Sequence, residues 1–476
     1  MRRSPMLAVA TGLSSLGLVL ASPTGPAFGA APIGVSVVDV SQSTPSGDVL
    51  SQNETPIAVN PANPANMITG ANDWNYNDGC AVNSSFDGGR TWSATLPNGF
   101  LPGVTRFTND PDVAGTGAYD AGGDPTIAFS PDGKIAYYVC QAFNFTSPFQ
   151  IALLLNKSYD GGRTWQNHGL TVVSAGGGNG VSKGSNGQFA DHENIHVDPT
   201  NGWLYVTWAQ FDGQSTHSPV TVAISKDQGA TFTQTQVTTG STRNNQDQRV
   251  VTDPAGNAYL TFDNGLQGGK GTVLYVSKLA KGSTTWSAPY QFATLADPVC
   301  VFPPDCFDLS GGQFRAGGTY PAPTFANGRL YVAYADIKST YAQIYVQSAP
   351  SDDLTAWTAP QAVAPAAGDQ FEAELSSAPN GRLDLAFYNR GYSANRLVDV
   401  TYATSSNGGS SWRQVRVTRS GFDPSQWGVP DGSSFRPFIG DYNGIASNAT
   451  TAELTWTGVS DPAPYNLDIY AATVTP

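Results

Sequence analysis

The 476-residue chain carries 37 acidic against 24 basic side chains, a formal charge of −13, with only 13% of its residues charged. Such a surface repels nucleic-acid phosphates and anionic lipid, so neither is an expected partner. With 52 Gly, 33 Pro, 22 Phe, 20 Tyr and 10 Trp and no long helical period, the composition excludes a helix bundle and suits many short strands joined by turns.

The chain opens with Arg2 and Arg3 before an apolar stretch over about residues 6–21, then small residues at Ala21 and at Ala27-Phe28-Gly29. This is the pattern of a signal peptide over residues 1–30, and residues 31–476 are expected to be a secreted single domain. Gly12, Ser14 and Ser15 interrupt the stretch, and no later segment approaches the ~20 apolar residues of a membrane span. The arginine pair fits a twin-arginine leader poorly. A first strand follows at 33–40.

From there the sequence repeats. Candidate inner strands begin at Glu54, Asp124, Glu193, Gln248, Tyr320, Glu372 and Asp441, each a short extended run. Most are followed by a turn such as Asp132-Gly133, Asn201-Gly202, Asn327-Gly328 or Asn380-Gly381 and then by a second apolar strand, at 136–140, 204–208, 258–262, 330–334, 383–387 and 454–456. The last module has a third strand at 468–474 and then the chain stops, so its fourth strand is expected from residues 33–40, closing a ring and removing exposed sheet edges. Seven such modules are counted, with six as the alternative.

Within the modules one hairpin recurs nearly unchanged. Ser-Phe-Asp-Gly-Gly-Arg-Thr-Trp stands at 85–92 and Ser-Tyr-Asp-Gly-Gly-Arg-Thr-Trp at 158–165, with weaker copies at 225–232 and 405–412. The carboxylate of Asp87, Asp160 or Asp227, or the amide of Asn407, accepts backbone N–H bonds within the turn, and the glycines supply positive φ. A closing Trp or Phe offers a plate for packing between modules. Segments 277–286 and 348–357 keep only the flanking strand and the final Trp. A unit that returns this way is a module that cannot bury its apolar face alone.

The run S-x-D-G-G-x-T-W resembles the Asp box of the sialidase (neuraminidase) superfamily. That resemblance implies an all-β propeller of four-stranded antiparallel blades, with the boxes far from the active site, and hence structural roles for Asp87, Asp160, Asp227 and Asn407. It also implies a glycoside hydrolase that binds carbohydrate, needs no cofactor and works as a monomer. Sialidases hold their substrate's carboxylate with three arginines, use an Asp as acid, and attack with a Tyr activated by a Glu. Where the first arginine would stand, in an R-I-P run, this chain has Glu54-Thr55-Pro56. A carboxylate in place of a bidentate carboxylate clamp inverts the preference of the site. Arg249, Arg390 and Arg436 remain as candidates for a partial clamp. By position, Asp124 is the candidate acid, Tyr442 or Tyr320 the nucleophile, and Glu372 or Glu374 its partner.

Lining up the modules brings Glu54, Asp124, Asp191 with His192 and Glu193, Asp247 with Arg249, Tyr320, Glu372 with Glu374, and Asp441 with Tyr442 to one channel mouth. Clustered carboxylates repel, so some should hold a proton or share a cation, and a structural calcium ion suits such oxygens. The loops after the second strands, among them Asp73-Trp74 and Gln141-Ala142-Phe143, interleave aromatics with amides and acids, which suits sugar faces and hydroxyls. His192 and His196 would lie on one face of a strand about 13 Å apart, too far to share a metal. A single histidine base at His192 would instead suit a lyase acting on an acidic polysaccharide, and a non-catalytic propeller binding glycan or protein is the third reading. Of the four cysteines, Cys300 and Cys306 bracket a short loop and read as a disulfide, leaving Cys80 and Cys140 to pair by elimination.

Overall fold

The structure is a computed structural model that describes residues 31–41, 51–75, 77–94, 100–145, 149–178, 189–211, 218–238, 245–264, 272–296, 307–309, 312–314, 320–426, 428–431, 434–459 and 467–476. Residues 1–30, assigned above to a signal peptide, and Cys300 and Cys306 lie outside them. Within the unit Ile33–Pro476, seven sheets form an all-β, seven-bladed propeller.

Blade 1 is built from Gln52–Asn53 and Ile57–Val59, both paired with Met67–Asp73, then Gly79–Ser85 and Ser93–Ala94. Blades 2 to 6 each run from inner to outer strand in chain order. Their inner strands are Ala121–Phe129, Phe189–Val197, Gln246–Thr252, Ala322–Ala326 and Gln370–Ser377. In blade 7 the inner strand Gly444–Ser447 is followed by Ala452–Gly458 and Asp468–Thr475, and Gly34–Asp39 supplies the outer strand, paired from Gly34 with Thr475 to Asp39 with Tyr470. The ring therefore closes between the two ends of the described chain, as the unpaired last module required.

There is no single core. Seven apolar clusters appear among the described residues, each shared by two adjoining blades. Between blades 1 and 2, Ile68 and Val82 meet Tyr138, Ala152 and Trp165, and Tyr138 and Trp165 pack edge to face at 5.8 Å. A fully buried side chain of this size contributes roughly 1.5–3 kcal/mol through removal from water. Cys80 in the third strand of blade 1 is disulfide-bonded to Cys140 in the second strand of blade 2, a link spanning 60 residues of chain.

Antiparallel order sorts the turns. The starts of the inner strands and the ends of the second strands meet at one face, while the turns after the inner and third strands lie at the other. The Asp boxes follow third strands and so sit opposite the channel mouth. In the box of blade 1, Asp87 Oδ1 accepts hydrogen bonds from Ser85 Oγ, Arg90 N and Thr91 N at 2.9–3.1 Å, and Oδ2 accepts from Thr91 Oγ1 at 2.6 Å. Asp160 and Asp227 repeat the bonds from Ser and Thr, and Asn407 Oδ1 accepts from Ser405 Oγ and Ser411 N while its Nδ2 donates to Ser411 Oγ. These turns also reach the preceding blade. Asn66 Nδ2 and Ser84 Oγ of blade 1 donate to the carbonyls of Gly161 and Gly162, and the Arg163 guanidinium lies 3.5 Å from the centre of the Phe86 ring. Gly162, at φ 95°, has Ser84 Oγ only 2.5 Å from where a Cβ would stand, so a side chain there would collide with the neighbouring blade.

Candidate active site at the channel mouth

The inner strands share a local irregularity. In blades 2, 3, 4 and 6 two residues of the inner strand stand opposite one of the second strand, between Gly123 and Thr126, Asp191 and Asn194, Gln246 and Arg249, and Phe371 and Glu374. Each extra residue makes a β-bulge, and each bulge opens with a left-handed residue: Asp124 (φ 52°), His192 (φ 58°), Asp247 (φ 57°) and Glu372 (φ 48°). Glu54 (φ 61°) occupies the same place in blade 1. Left-handed backbone at a residue other than glycine costs about 1–2 kcal/mol. Five blades bear that cost at the same depth, each to turn an ionisable side chain at the mouth, and bulges commonly re-aim side chains beside active sites.

Two cavities result. The outer one, about 240 Å³, is lined by the acids Glu54, Asp73, Asp78, Asp124, Asp191 and Asp441, by the rings of Trp74, Phe143, Phe189 and Phe438, and by His192. The inner one, about 200 Å³, runs along the channel past His192, Glu193, His196, Asp247, Arg249, Glu374 and Tyr442.

Much of this polarity is committed to joining blades. Asn72 Nδ2 donates to Glu54 Oε2 at 2.6 Å, and Asn72 Oδ1 accepts from the amide of Asp124 at 2.6 Å. The Asp441 amide donates to Glu54 Oε1, Gln246 Nε2 to Asp191 Oδ2, Gln248 Nε2 to the His192 carbonyl, and Asn443 Nδ2 to Glu372 Oε2. Glu372 is thus buried at the boundary of blades 6 and 7. Asp124 is held more lightly: its Oδ2 receives the His192 amide at 3.4 Å, and the residue stays half-buried.

The arginines divide. Arg249 reaches across the channel from blade 4 to blade 6 and grips Glu374 with both terminal nitrogens, Nη2 to Oε1 at 2.7 Å. Arg390 is fully buried in blade 6, bonded to Asp369 Oδ2 at 3.1 Å and to the carbonyl of Asn395. Arg436 belongs to the short hairpin strand Ser434–Arg436, and its side chain is outside the described residues. Among the described residues no arginine lines the outer cavity.

Tyr442 donates its hydroxyl proton to the Pro125 carbonyl at 2.9 Å. Burial, reinforced by Glu54, Asp124 and Glu193, pushes its phenol well above the ordinary range. A phenol so held is a neutral donor, whereas a nucleophilic tyrosine needs a base to take its proton. Tyr320 lays its ring against His192, centroids 5.1 Å apart.

Four acids of the mouth and channel are perturbed, and burial raises the carboxyls of Asp78 and Asp247 above the usual range. Asp73 has its carboxyl raised to about 6 by burial, against hydrogen bonds from Asn75, Gln52 and Asn109. Those donors occupy both of its oxygens, which fits an anchor for the mouth wall. Burial together with Asp124 and Asp191 holds the carboxyl of the buried Glu193 well above the usual range, against the nearby backbone amides of Glu193 and Gln141. Glu193 and Gln248 occupy the same bulge position in neighbouring blades, where Gln248 clips to the blade before it. Among the described residues no three His, Cys, Asp or Glu side chains are grouped to hold a metal ion.

Most of the mouth was named from the sequence because the repeats align it. Asn72, Asp78, Phe189, Gln246 and Phe438 were not, since they lie outside the aligned positions. The two histidines do not share a plain strand, because the bulge at 192–193 separates them; His196 bonds through Nε2 to Thr252 Oγ1 at 2.9 Å.

These elements define a seven-bladed β-propeller with one acidic, aromatic mouth. No family model matches the chain, and no curated protein matches it. Similar solved structures include a protein of unknown function from Dyadobacter fermentans, 11% identical with a TM-score of 0.48 over 93% of this chain and 99% of that one. A leech intramolecular trans-sialidase complexed with 2,7-anhydro-Neu5Ac is 13% identical with a TM-score of 0.46, over 77% of this chain and 69% of that one. The GH93 α-L-arabinofuranosidase of Fusarium graminearum, in complex with arabinobiose, is 14% identical with a TM-score of 0.41, over 74% of this chain and 92% of that one. At such distances the activity has to be argued from this chain's own residues. Among the described residues no helix is long and apolar enough to cross a membrane.

Proposed function

We propose that this chain is an exported, sialidase-like glycoside hydrolase whose substrate is an uncharged glycan. The observation that carries the reading is the outer cavity: six acids and four aromatic rings around one opening, with no arginine on its wall among the described residues. Rings stack on the C–H faces of sugars, and carboxyls from different blades can divide acid and base work between them. Asp124, half-buried and held by one long hydrogen bond from the His192 amide, is the proton donor to the leaving oxygen in this reading. Both described arginine candidates are engaged by carboxylates of the protein itself, which argues against a sialic acid carboxylate in the site. The same acids argue against an acidic polysaccharide, and so against the lyase reading.

The test is a panel of aryl glycosides of neutral sugars and arabino-oligosaccharides beside a sialoside reporter. Turnover of a neutral member with none of the sialoside supports the proposal, and the reverse sinks it. One observation favours a second reading, a glycan-binding propeller without catalysis: Glu54, Asp124, Asp191 and Glu372 all accept hydrogen bonds from a neighbouring blade. Binding on the panel with no turnover anywhere would select it.

A further inference from the structure

We propose that His192 and Asp247 form the proton-transfer dyad of the mouth, with His192 the base that takes a proton from the attacking water and Asp247 its positioning residue. This rests on the hydrolase reading above. His192 Nδ1 faces Asp247 Oδ1, and both residues are more than nine-tenths buried. Each heads the bulge of its own blade in the left-handed conformation, so two strained backbones bring these two side chains together. His192 lines both the outer and the inner cavity. Its Nε2 makes no hydrogen bond among the described residues, whereas the ring is held between Tyr320 and Tyr442 at centroid distances of 5.1 and 5.4 Å. A carboxylate on Nδ1–H fixes the tautomer and leaves the Nε2 lone pair to accept.

His196, four residues on, is the contrast. Its Nε2 is used on Thr252, and burial lowers its pKa to about 4 against the pull of Asp198, as expected of a histidine that only packs. Around the pair stand Asp191 and Glu193 in the strand of His192, Asp124 in blade 2 with an oxygen on the His192 amide, and Asp263, Asp441 and Arg249 against Asp247. Burial pushes the Asp247 carboxyl well above the usual range, with Asp441 and Asp191 adding to it, and the Asp263 hydrogen bond, Arg249 and a protonated His192 on its other side favour the ionised form that the dyad uses.

In the step, the water O–H bond breaks and its proton goes to His192 Nε2 as the oxygen bonds to the anomeric carbon. The glycosidic C–O bond breaks, and the leaving oxygen takes the proton of Asp124. His192 ends protonated and Asp124 ionised, and solvent returns one proton and removes the other.

The experiment measures kcat, KM and the pH profile of His192→Gln and Asp247→Asn in the full chain on the neutral glycoside that the wild type turns over. General-base loss predicts kcat down roughly 10²–10⁴-fold for His192→Gln, with KM within about twofold. Asp247→Asn should lower kcat less, move the acid limb of the profile, and abolish the downfield Nδ1–H proton resonance of His192. Should the glutamine variant not fold, the asparagine variant carries the same test. Wild-type kcat in a folded His192→Gln protein overturns the dyad alone. A wild type inactive on every neutral glycan overturns the hydrolase reading and the dyad with it.

Discussion

The two faces of the propeller are built from the same repeat in opposite ways. At the Asp-box face the side chains recur and their carboxylates and hydroxyls are used: Ser, Asp and Thr bond to one another and to the turn in blades 1, 2 and 3. At the mouth only the backbone recurs. A left-handed bulge residue stands at one depth in five blades, but its side chain is Glu, Asp, His, Asp and Glu in turn. Repetition of side chains marks the face where every blade needs the same turn. Repetition of strain beneath varied ionisable groups marks the face where each blade contributes something different.

The largest effect should separate the faces by activity. Asp124→Asn removes the proposed acid while leaving an acceptor for the His192 amide. Loss of a general acid is worth about 10²–10⁴ in rate. Turnover should fall by that much with the melting temperature nearly unchanged, and a folded variant with full turnover would remove Asp124 from the chemistry.

Next comes pH, where two groups of the mouth and channel oppose each other. Asp73 has a folded pKa of about 6 against 3.8, so the fold binds the extra proton and stability falls as pH rises through that window, by about 3 kcal/mol at 1.36 kcal/mol per unit. His196 has a folded pKa of about 4 against 6.5, so the unfolded chain binds the extra proton and stability falls as pH drops through that window, by a similar order. The two slopes nearly cancel between pH 4 and 6. Denaturant titrations should show Asp73→Asn becoming acid-labile and His196→Gln becoming relatively more stable toward pH 4; parallel pH curves for both variants would break this account.

At the box face the effect is on stability alone. Asp160→Ala removes the acceptor of bonds from Ser158, Thr164 N and Thr164 Oγ1, at a net cost of roughly 1–3 kcal/mol. Turnover should survive. Asp160→Asn should cost less, because Asn407 already performs this role in blade 6. Equal loss in the two variants, read by chemical denaturation, would mean the charge rather than the acceptor geometry matters.

The contrast between faces also explains what the sequence made legible. The boxes and turn dipeptides could be counted, and from their spacing came the seven blades and the closing strand, while the Cys80–Cys140 link came by elimination among four cysteines. Aligning the inner strands then brought Glu54, Asp124, His192 and Asp441 to one opening. The bulge was hidden, because its usual signal is glycine and here acids and a histidine adopt positive φ. So were the partners: that Arg249 spends itself on Glu374, Arg390 on Asp369 and Tyr442 on Pro125 depends on side-chain reach across blades, which no spacing encodes.

The smallest effect tests whether the mouth's rings bind sugar at all. Trp74 lies in the loop after the second strand of blade 1, half-buried on the wall of the outer cavity, beside the anchored Asp73. It is absent from the seven interblade clusters, so it contributes little to holding the blades together. A ring in that position contributes about 0.5–1.5 kcal/mol to a stacked partner beyond burial of area. Trp74→Ala should therefore raise KM roughly 2- to 12-fold with kcat and melting temperature kept, while Trp92→Ala at the box face should do the reverse, since that ring is buried between blades 7 and 1. If Trp74→Ala instead lowers the melting temperature and leaves KM alone, the ring is packing, and sugar recognition must rest on the acids and amides of the mouth.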